Sequence, residues 1–442
     1  MNDRRERPKY VWLAVGVLAA LLLTVAGAQS ILADQLDSSP FFLPIVYRSG
    51  AVTPTPTHTP TETVTEPPIL TPTPTSTPTT EPGGGYVVIG WNDLGMHCYD
   101  RDYSKMAVLP PYNNLWAQVI KRGDPPQVVT EGITVEYSFP DNEESASKTN
   151  FWDYDLLLFG VDLPLNVGLA GKGMAGEMDP DPSGGLFFKA EGVPVTEFSD
   201  SNPSVADYFQ LSKIVARDSS TGDILAQSDV VAPVSSEMRC YDCHDEDPDF
   251  RMDILNKHDE EEGTTLAQQA RDGTPVLCAN CHADPALGLP GEPGVSTFSS
   301  AMHSKHDEET QNCYACHPGP QTQCLRDVMS QNPTDPLWCT DCHGSMSDVA
   351  NPARTPWVTE PRCQNCHGDQ FAENPDTLYK HSTGHGGVYC EACHNSTHAI
   401  LPSRENNDNL QSIALQGYAG TIETCTVCHL TDPGTGGPHN EQ

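Results

Sequence analysis

The C-terminal half of this 442-residue chain repeats one short pattern, Cys-x-x-Cys-His, seven times. Successive copies start 24 to 38 residues apart, so little polypeptide lies between them. The copies are Cys240, Cys243 and His244; Cys278, Cys281 and His282; Cys313, Cys316 and His317; Cys339, Cys342 and His343; Cys363, Cys366 and His367; Cys390, Cys393 and His394; and Cys425, Cys428 and His429. Whatever these residues bind must supply much of the structure of this region.

The spacing within each copy is that of c-type haem attachment. Two thiols three residues apart can each form a thioether bond to one vinyl group of a porphyrin, and the adjacent imidazole then serves as the proximal iron ligand. Zinc ribbons and redox disulfides also use Cys-x-x-Cys, but neither requires a histidine after every pair. We therefore predict seven covalently bound c-type haems, with the seven motif histidines as proximal ligands.

The composition around the motifs fits this prediction. Between residues 237 and 442, Leu, Ile, Val and Phe total 26 of 206 residues. A charged segment this poor in apolar residues is ordinarily disordered. Haems are large, rigid and apolar, and they can replace the missing core. We expect residues 237–442 to form a haem-cored domain of short helices and loops.

An iron that only carries electrons needs a second axial ligand. Outside the motifs this region has seven further histidines, which are the candidate distal ligands: His258, His303, His306, His381, His385, His398 and His439. His97, outside the region, is either an eighth candidate or a structural histidine. Methionine is the other possible ligand, and its use would raise the reduction potential. The methionines available are Met252, Met302, Met329 and Met346. We expect mostly bis-histidine haems of low potential.

Residues 86–236 contain no haem motif and read as a separate block. Alternating apolar and polar residues predict strands at 86–91, 133–139 and 193–198, and a hairpin formed by 211–216 and 224–231 around the turn 219–223. No stretch shows strong helical periodicity. We expect an antiparallel β-sandwich-like domain. The segment Asp179-Pro-Asp-Pro, with Glu177 nearby, is either a Ca²⁺ site or an acidic loop, and its lack of a recognised ligand spacing favours the loop.

Two cysteines, Cys98 and Cys324, lie outside the motifs. An unpaired thiol is unusual in an oxidising compartment, where disulfides form and persist. We therefore predict a Cys98–Cys324 disulfide that joins the two domains. The alternative is that both remain free thiols.

The N-terminal 33 residues have the pattern of a signal peptide or signal anchor. Basic residues precede an uncharged run of 18 residues from Val11 to Ala28, which ends in small residues suited to cleavage. The run is also just long enough to span a bilayer if it is not cleaved. Residues 34–85 follow as a linker, in which Thr and Pro make up 22 of the 32 residues from 51 to 82. This composition predicts an extended stalk. We expect an exported protein that is extracellular or on the cell surface.

The negative charge limits the partners. Residues 237–442 have 10 Lys plus Arg against 31 Asp plus Glu, a formal charge of −21. Nucleic acid and anionic headgroups would be repelled. Other redox proteins with basic surfaces, extracellular electron acceptors and self-association remain open. A charged surface that only keeps the protein soluble is the simpler interpretation.

Residues 237–442 resemble the multihaem cytochrome c family through the seven motifs. The stretch 381–399 is similar to segments of secreted or surface multihaem cytochromes, and Gly90 to Cys98 is similar to exported members. The resemblance implies closely stacked haems that act as a wire, often in respiration to extracellular acceptors. Some members polymerise into filaments. Others are reductases of nitrite, hydroxylamine or sulfur oxyanions and have one haem with an open distal site, sometimes in Cys-x-x-Cys-Lys, a motif that this chain lacks.

These observations favour an exported heptahaem electron carrier, with no catalytic side chain, over an enzyme. The first alternative is a multihaem reductase in which one iron lacks a protein sixth ligand. The second is a structural role, with the β domain as an adhesion or polymerisation module that brings haems to a surface.

Overall fold

The computed structural model describes residues 84–434 and residue 439. The predicted signal segment and almost all of the predicted stalk lie outside the described residues. The strands are β1 (Tyr86–Trp91), β2 (His97–Cys98), β3 (Met106–Ala107), β4 (Asn113–Lys121), β5 (Gln127–Val129), β6 (Ile133–Ser138), β7 (Ala175–Glu177), β8 (Asp179–Pro180), β9 (Phe188–Val193), β10 (Phe209–Asp218), β11 (Ile224–Ser235) and β12 (Val276–Leu277). The described α-helices are α1 (Phe151–Phe159), α2 (Phe250–Glu262), α3 (Leu266–Arg271), α4 (Phe298–His306), α5 (Cys339–His343), α6 (Met346–Ala350), α7 (Gln364–His367), α8 (Cys390–His394) and α9 (Asn406–Gln416).

Strands β1 to β11 form two five-stranded sheets, apart from β3. The first sheet has the order β1-β4-β9-β8 with β5 also paired to β4, and the second has the order β2-β11-β10-β6-β7. The two sheets enclose one apolar core, to which β1 contributes Val88, β4 contributes Leu115 and β10 contributes Ile214. The remaining strand β3 pairs in parallel with β12, which lies in residues 237–442, hereafter the motif-bearing region.

The hairpin of β10 and β11 follows directly from its turn residues. The Asp218 carboxylate accepts hydrogen bonds from the backbone N–H groups of Ser220 and Thr221, at 2.9 and 3.0 Å. Asp218 N–H donates to the Asp223 carbonyl at 3.0 Å. Aspartate side chains favour such turns because they hydrogen-bond the backbone two residues further on. The register then places Ile214 opposite Ser228.

Two features of residues 86–236 differ from the sequence expectation. The strand predicted at 193–198 instead ends at Val193, because Pro194 has no N–H for the next ladder bond. A helix, α1, forms at Phe151–Phe159 although the stretch shows no helical periodicity. Its nearly continuous apolar run hides the period. The helix ends at Gly160, whose φ of 71° allows its N–H to bond the Leu156 carbonyl at 3.2 Å.

Strands β1 and β4 of the first sheet are buried on both faces, since the motif-bearing region covers their outer side. Trp91 and Trp116 point away from the sheet-to-sheet core and pack with Ala392, Ile422 and Val427 of that region. Polar groups also form hydrogen bonds across this interface. The Gln411 side chain accepts from Gly90 N–H at 2.8 Å and donates to the Gly90 carbonyl at 2.9 Å.

The motif-bearing region has short helices separated by loops. Its longest helix, α2, is capped at Asp249, whose carboxylate accepts from Arg251 N–H at 3.1 Å. Apolar clusters are small here. One consists of Met252 and Leu255 with Ala267 and Ala270, and it reaches Met106 of β3. Among residues 84–434 and 439, none of the helices combines the length and apolar character needed to cross a membrane.

Candidate haem sites

Each Cys-x-x-Cys-His motif occupies a single helical turn. The turn is an α-helix at Cys339–His343 and Cys390–His394, and a 3₁₀ turn begins four of the other motifs. In His244 and His367, for example, the backbone N–H donates to the carbonyl of the first cysteine of the motif, at 2.9 and 3.0 Å. Residues three and four apart in such a turn lie on one face. Both thiols and the imidazole are therefore presented to the same side, as attachment to one porphyrin requires.

Six motif histidines face a second imidazole from elsewhere in the chain. The distances between ring centroids are 6.3 Å for His244–His306, 6.3 Å for His282–His258, 6.0 Å for His317–His303, 6.2 Å for His343–His398, 6.1 Å for His394–His439 and 6.1 Å for His429–His385. The partners are six of the seven candidate distal ligands. Sequence separation does not predict the pairing: His306 lies opposite His244 of the first motif and His303 lies opposite His317 of the third, although both belong to α4.

These distances fit one iron between each pair of rings. A metal–imidazole bond is about 2 Å long and each ring centre lies about 1 Å beyond its nitrogen, so two imidazoles on opposite sides of one metal have centroids about 6 Å apart. Imidazoles in direct contact would stack more closely. The donor set of two thiols and two opposed imidazoles is that of bis-histidine haem c.

Hydrogen bonds at Nδ1 orient many of these rings and leave Nε2 for the metal. His303 Nδ1 lies 2.7 Å from the Ser299 carbonyl, and His306 Nδ1 lies 2.7 Å from the Met302 carbonyl. His282 Nδ1 lies 3.0 Å from the Ser296 carbonyl. Metal-bound histidines almost always use the second nitrogen in this way, which fixes the tautomer and the ring orientation.

Three carboxylates lie beside motif histidines, and sequence reasoning did not find them. Asp253, Glu360 and Asp124 have an oxygen at 3.5, 3.6 and 3.5 Å from Nδ1 of His244, His343 and His429, respectively. All three are distant in sequence from the histidine they approach or lie in another element. No motif signals such partners. A carboxylate in this position raises the basicity of the imidazole as a ligand.

Burial keeps several of these imidazoles neutral, as metal ligation requires. It lowers the pKa of His317, His394 and His398 to about 4. The ring of His398 also donates to the backbone carbonyl of Leu94 in residues 86–236, hereafter the β region. These three imidazoles are therefore neutral at physiological pH.

The seventh candidate, His381, does not face a motif imidazole. Its ring lies 6.0 Å from the Trp116 ring of the first sheet, and burial lowers its pKa to about 4. His97 is also placed elsewhere: its Nε2 lies 3.1 Å from Asp93 Oδ1, and both residues are buried. This arrangement favours the structural interpretation of His97.

Thiols of different motifs lie close enough to affect each other. The neighbours are Cys240 with Cys316, Cys313 with Cys339, Cys342 with Cys366, Cys363 with Cys390, and Cys393 with Cys428. The second of these pairs interacts most directly. A hydrogen bond between the two sulfurs lowers the pKa of Cys313 to about 6 and raises that of Cys339.

The two remaining cysteines are also neighbours. Burial raises the pKa of Cys98, and the nearby Cys324 thiol raises it further. The structure has both as free thiols. The predicted disulfide therefore stays a prediction, and the two thiols lie near enough to influence each other.

The acidic segment at 179–182 has protein partners for its carboxylates. Asp179 forms a 2.8 Å ion pair with Lys172, and Asp181 accepts from Gly185 N–H at 2.9 Å. Within the described part of the chain, no group of three or more His, Cys, Asp or Glu residues is arranged to hold a metal ion. The acidic-loop interpretation is the simpler one here.

The motif geometry and the opposed imidazoles define a haem protein of the c type. Residues 345–395 match the family described as cytochrome c554 and c-prime. The matched segment contains the motifs that end at His367 and His394. The chain is thus a c-type cytochrome, a carrier of electrons that binds haem c covalently. No curated protein and no solved structure matches the chain at a significant level.

Proposed function

We propose that this protein is an exported electron carrier with seven covalently bound haems, six of them ligated by two histidines. The observation that carries the proposal is the set of six imidazole pairs with centroids 6.0–6.3 Å apart. When bound, haem supplies the redox chemistry. The chain supplies the thioether cysteines, the axial imidazoles and the packing that fixes their spacing.

The close thiols support a row of haems in a defined order. Haem c is attached through these sulfurs, so neighbouring thiols bring the edges of two haems together. The electrostatic interactions between these thiols, from Cys240–Cys316 to Cys393–Cys428, link the motifs in the order 240, 313, 339, 363, 390 and 425. Helix α2 adds the motif at 278 beside the motif at 240, because it contributes both Asp253, next to His244, and His258, opposite His282.

Export and extracellular partners are also part of the proposal. They are supported by the uncharged run from Val11 to Ala28, by the Thr/Pro-rich linker and by the requirement that c-type haem be attached outside the cytoplasm. The formal charge of −36 favours acceptors or donors with basic surfaces. Electrons would enter and leave at the two ends of the row.

Intact-mass measurement and low-temperature EPR of the oxidised holoprotein test the haem part of the proposal. We expect a mass increase of seven haems and predominantly low-spin ferric signals. A smaller number of haems, or mostly high-spin signals, would contradict it. Stopped-flow reduction then tests the partner preference: a basic redox protein should react faster than an acidic one, and the difference should shrink as salt is added.

A further inference from the structure

His367 differs from the other six motif histidines. Each of the others faces a second imidazole with centroids 6.0–6.3 Å apart, whereas the ring contact of His367 is the edge of Phe371 at 6.4 Å and 85°. Among residues 84–434 and 439, no histidine ring is paired with it. The motif turn itself is regular, since His367 N–H donates to the Cys363 carbonyl at 3.0 Å. The difference therefore lies in the second axial ligand and not in haem attachment.

The two described histidines left over are held elsewhere. His97 is bonded to Asp93 within the β region. His381 packs against Trp116 at 6.0 Å, and the charged groups that act on it are Lys380, Asp93, Asp181 and Lys189. Three of these four, Asp93, Asp181 and Lys189, belong to the β region. His381 therefore faces the β region.

The motif that ends at His367 is exposed to solvent, and its cysteines lie near those of two other motifs. Cys363, Cys366 and His367 are all exposed, whereas Cys390, Cys393 and His394 of the next motif are half-buried. Cys366 neighbours Cys342, and Cys363 neighbours Cys390. A haem held by this motif lies inside the row, between the haems of the motifs at 339 and 390. It would then have two haem neighbours for electron exchange, at a motif whose own side chains face solvent.

We propose that the haem of the Cys363–Cys366–His367 motif has no histidine as sixth ligand and that the position opposite His367 binds small exogenous Lewis bases. This inference rests on the proposed function, because it assumes that the motif carries haem. It also identifies where the reductase alternative would bind its substrate. The probes are carbon monoxide for the reduced protein and cyanide for the oxidised protein.

Titration of the dithionite-reduced holoprotein with carbon monoxide tests the inference. We expect one carbon monoxide per chain, and one high-spin ferric component in the oxidised protein that cyanide converts to low spin. The double variant Cys363→Ala/Cys366→Ala should lose one haem by mass, together with carbon monoxide binding and the high-spin component. The matched control, Cys425→Ala/Cys428→Ala, should also lose one haem but still bind one carbon monoxide.

Each other outcome overturns the inference and is distinguishable from failure of the proposed function. A wild-type protein with seven haems, all low-spin, that binds no carbon monoxide would leave the carrier intact and remove the open site. Carbon monoxide binding retained by the 363/366 variant would place the open iron in another motif. His381→Ala should change neither signal. A new high-spin component in that variant, absent from the wild type, would show that His381 is the seventh distal ligand.

Discussion

The imidazole of His398 lies opposite the imidazole of His343, with 6.2 Å between the ring centroids, and its position depends on the β region. His398 has a φ of 68°, and its ring donates to the Leu94 backbone carbonyl. The His398 carbonyl accepts from Arg326 N–H at 2.8 Å. The β region thus orients a histidine that we propose as a distal haem ligand, so the two parts of the chain would build this site together.

Substitution of His398 by alanine should open one iron. We expect His398→Ala to keep every covalent haem and to gain one high-spin component and one equivalent of bound carbon monoxide, because the ring opposite His343 is removed. His398→Met should instead stay largely low-spin with one haem of raised reduction potential. EPR and a spectroscopic redox titration measure both effects. His97→Gln is the control and should leave haem ligation unchanged; an unchanged spectrum of His398→Ala would show that His398 is not a ligand.

Gly95 should be intolerant of a side chain. Its φ is 79°, and a Cβ atom there would lie 1.7 Å from the Thr397 carbonyl oxygen, next to His398. Gly95→Ala therefore combines left-handed backbone strain of about 1–2 kcal/mol with overpacking of about 1–3 kcal/mol. Gly132→Ala is a matched control, since Gly132 has a φ of 71° but open space around its Cβ position. Thermal unfolding should rank Gly95→Ala well below Gly132→Ala. Equal losses would mean that the loop at 397–398 moves freely.

The buried ion pair of Arg326 and Asp408 should be sensitive to loss of one partner. The two side chains are bonded twice, at 2.6 and 2.9 Å, and Arg326 also donates to the Gly95 carbonyl at 2.5 Å. Asp408→Ala leaves an unpaired buried charge and should reduce the free energy of unfolding by about 3–5 kcal/mol. Arg326→Met/Asp408→Leu should lose less, because no charge remains.

A pair exposed to solvent provides the comparison for this ion pair. Glu136→Gln removes the partner of Arg217 in the second sheet, where the side chains are 47% and 31% exposed. The expected loss there is about 0–1 kcal/mol. Denaturant unfolding of the holoproteins measures all three variants. If Asp408→Ala lowers the free energy of unfolding no more than Glu136→Gln does, the buried ion pair does not stabilise the fold more than an exposed one.

Asp100 should make stability depend on pH. Burial raises its pKa to about 6, although Leu109 N–H and Val108 N–H donate to its carboxylate at 2.7 and 2.6 Å. In the unfolded chain its pKa is about 3.9. The folded protein therefore binds more protons in this window, and the contribution of Asp100 is fully present below about pH 4 and lost as the pH rises through about 6. The loss amounts to about 3 kcal/mol.

The variant Asp100→Asn isolates this effect, since its side-chain oxygen can still accept from both N–H groups. The difference in unfolding free energy between the wild type and the variant should change between pH 4 and pH 7, with the wild type losing stability relative to the variant. Other titrating groups cancel in this comparison. A difference that is constant over the range would mean that Asp100 titrates normally.

Cys98 and Cys324 should form a disulfide in the exported protein. Their thiols are neighbours in the structure, and an oxidising compartment favours the bond. A proteolytic digest of the protein isolated from that compartment should contain one peptide pair that separates on reduction. Labelling of both thiols without prior reduction would contradict the prediction. Cys98→Ser/Cys324→Ser should keep all haems but unfold more readily.

Sequence and structure contributed differently to the two parts of the molecule. In the β region, alternation identified the hairpin of β10 and β11, because a side-chain period of two is a local property. The sequence did not predict the helix at 151–159, since its apolar run has no visible period. The strand predicted at 193–198 was wrong, because Pro194 interrupts the hydrogen-bond ladder. That β1 and β4 are buried on both faces could not be foreseen, because the covering residues, such as Ile422, are far away in sequence.

The candidate haem sites also separate into features that local sequence predicts and features that long-range packing decides. The sequence by itself predicted the attachment cysteines and the proximal histidines, because five consecutive residues in one helical turn fix their relative positions. It also offered seven candidate distal histidines, one for each motif. Only the tertiary structure decided which of them faces which motif, placed His381 against Trp116 and left His367 without a second imidazole. Such pairings depend on long-range packing, and no local spacing encodes them.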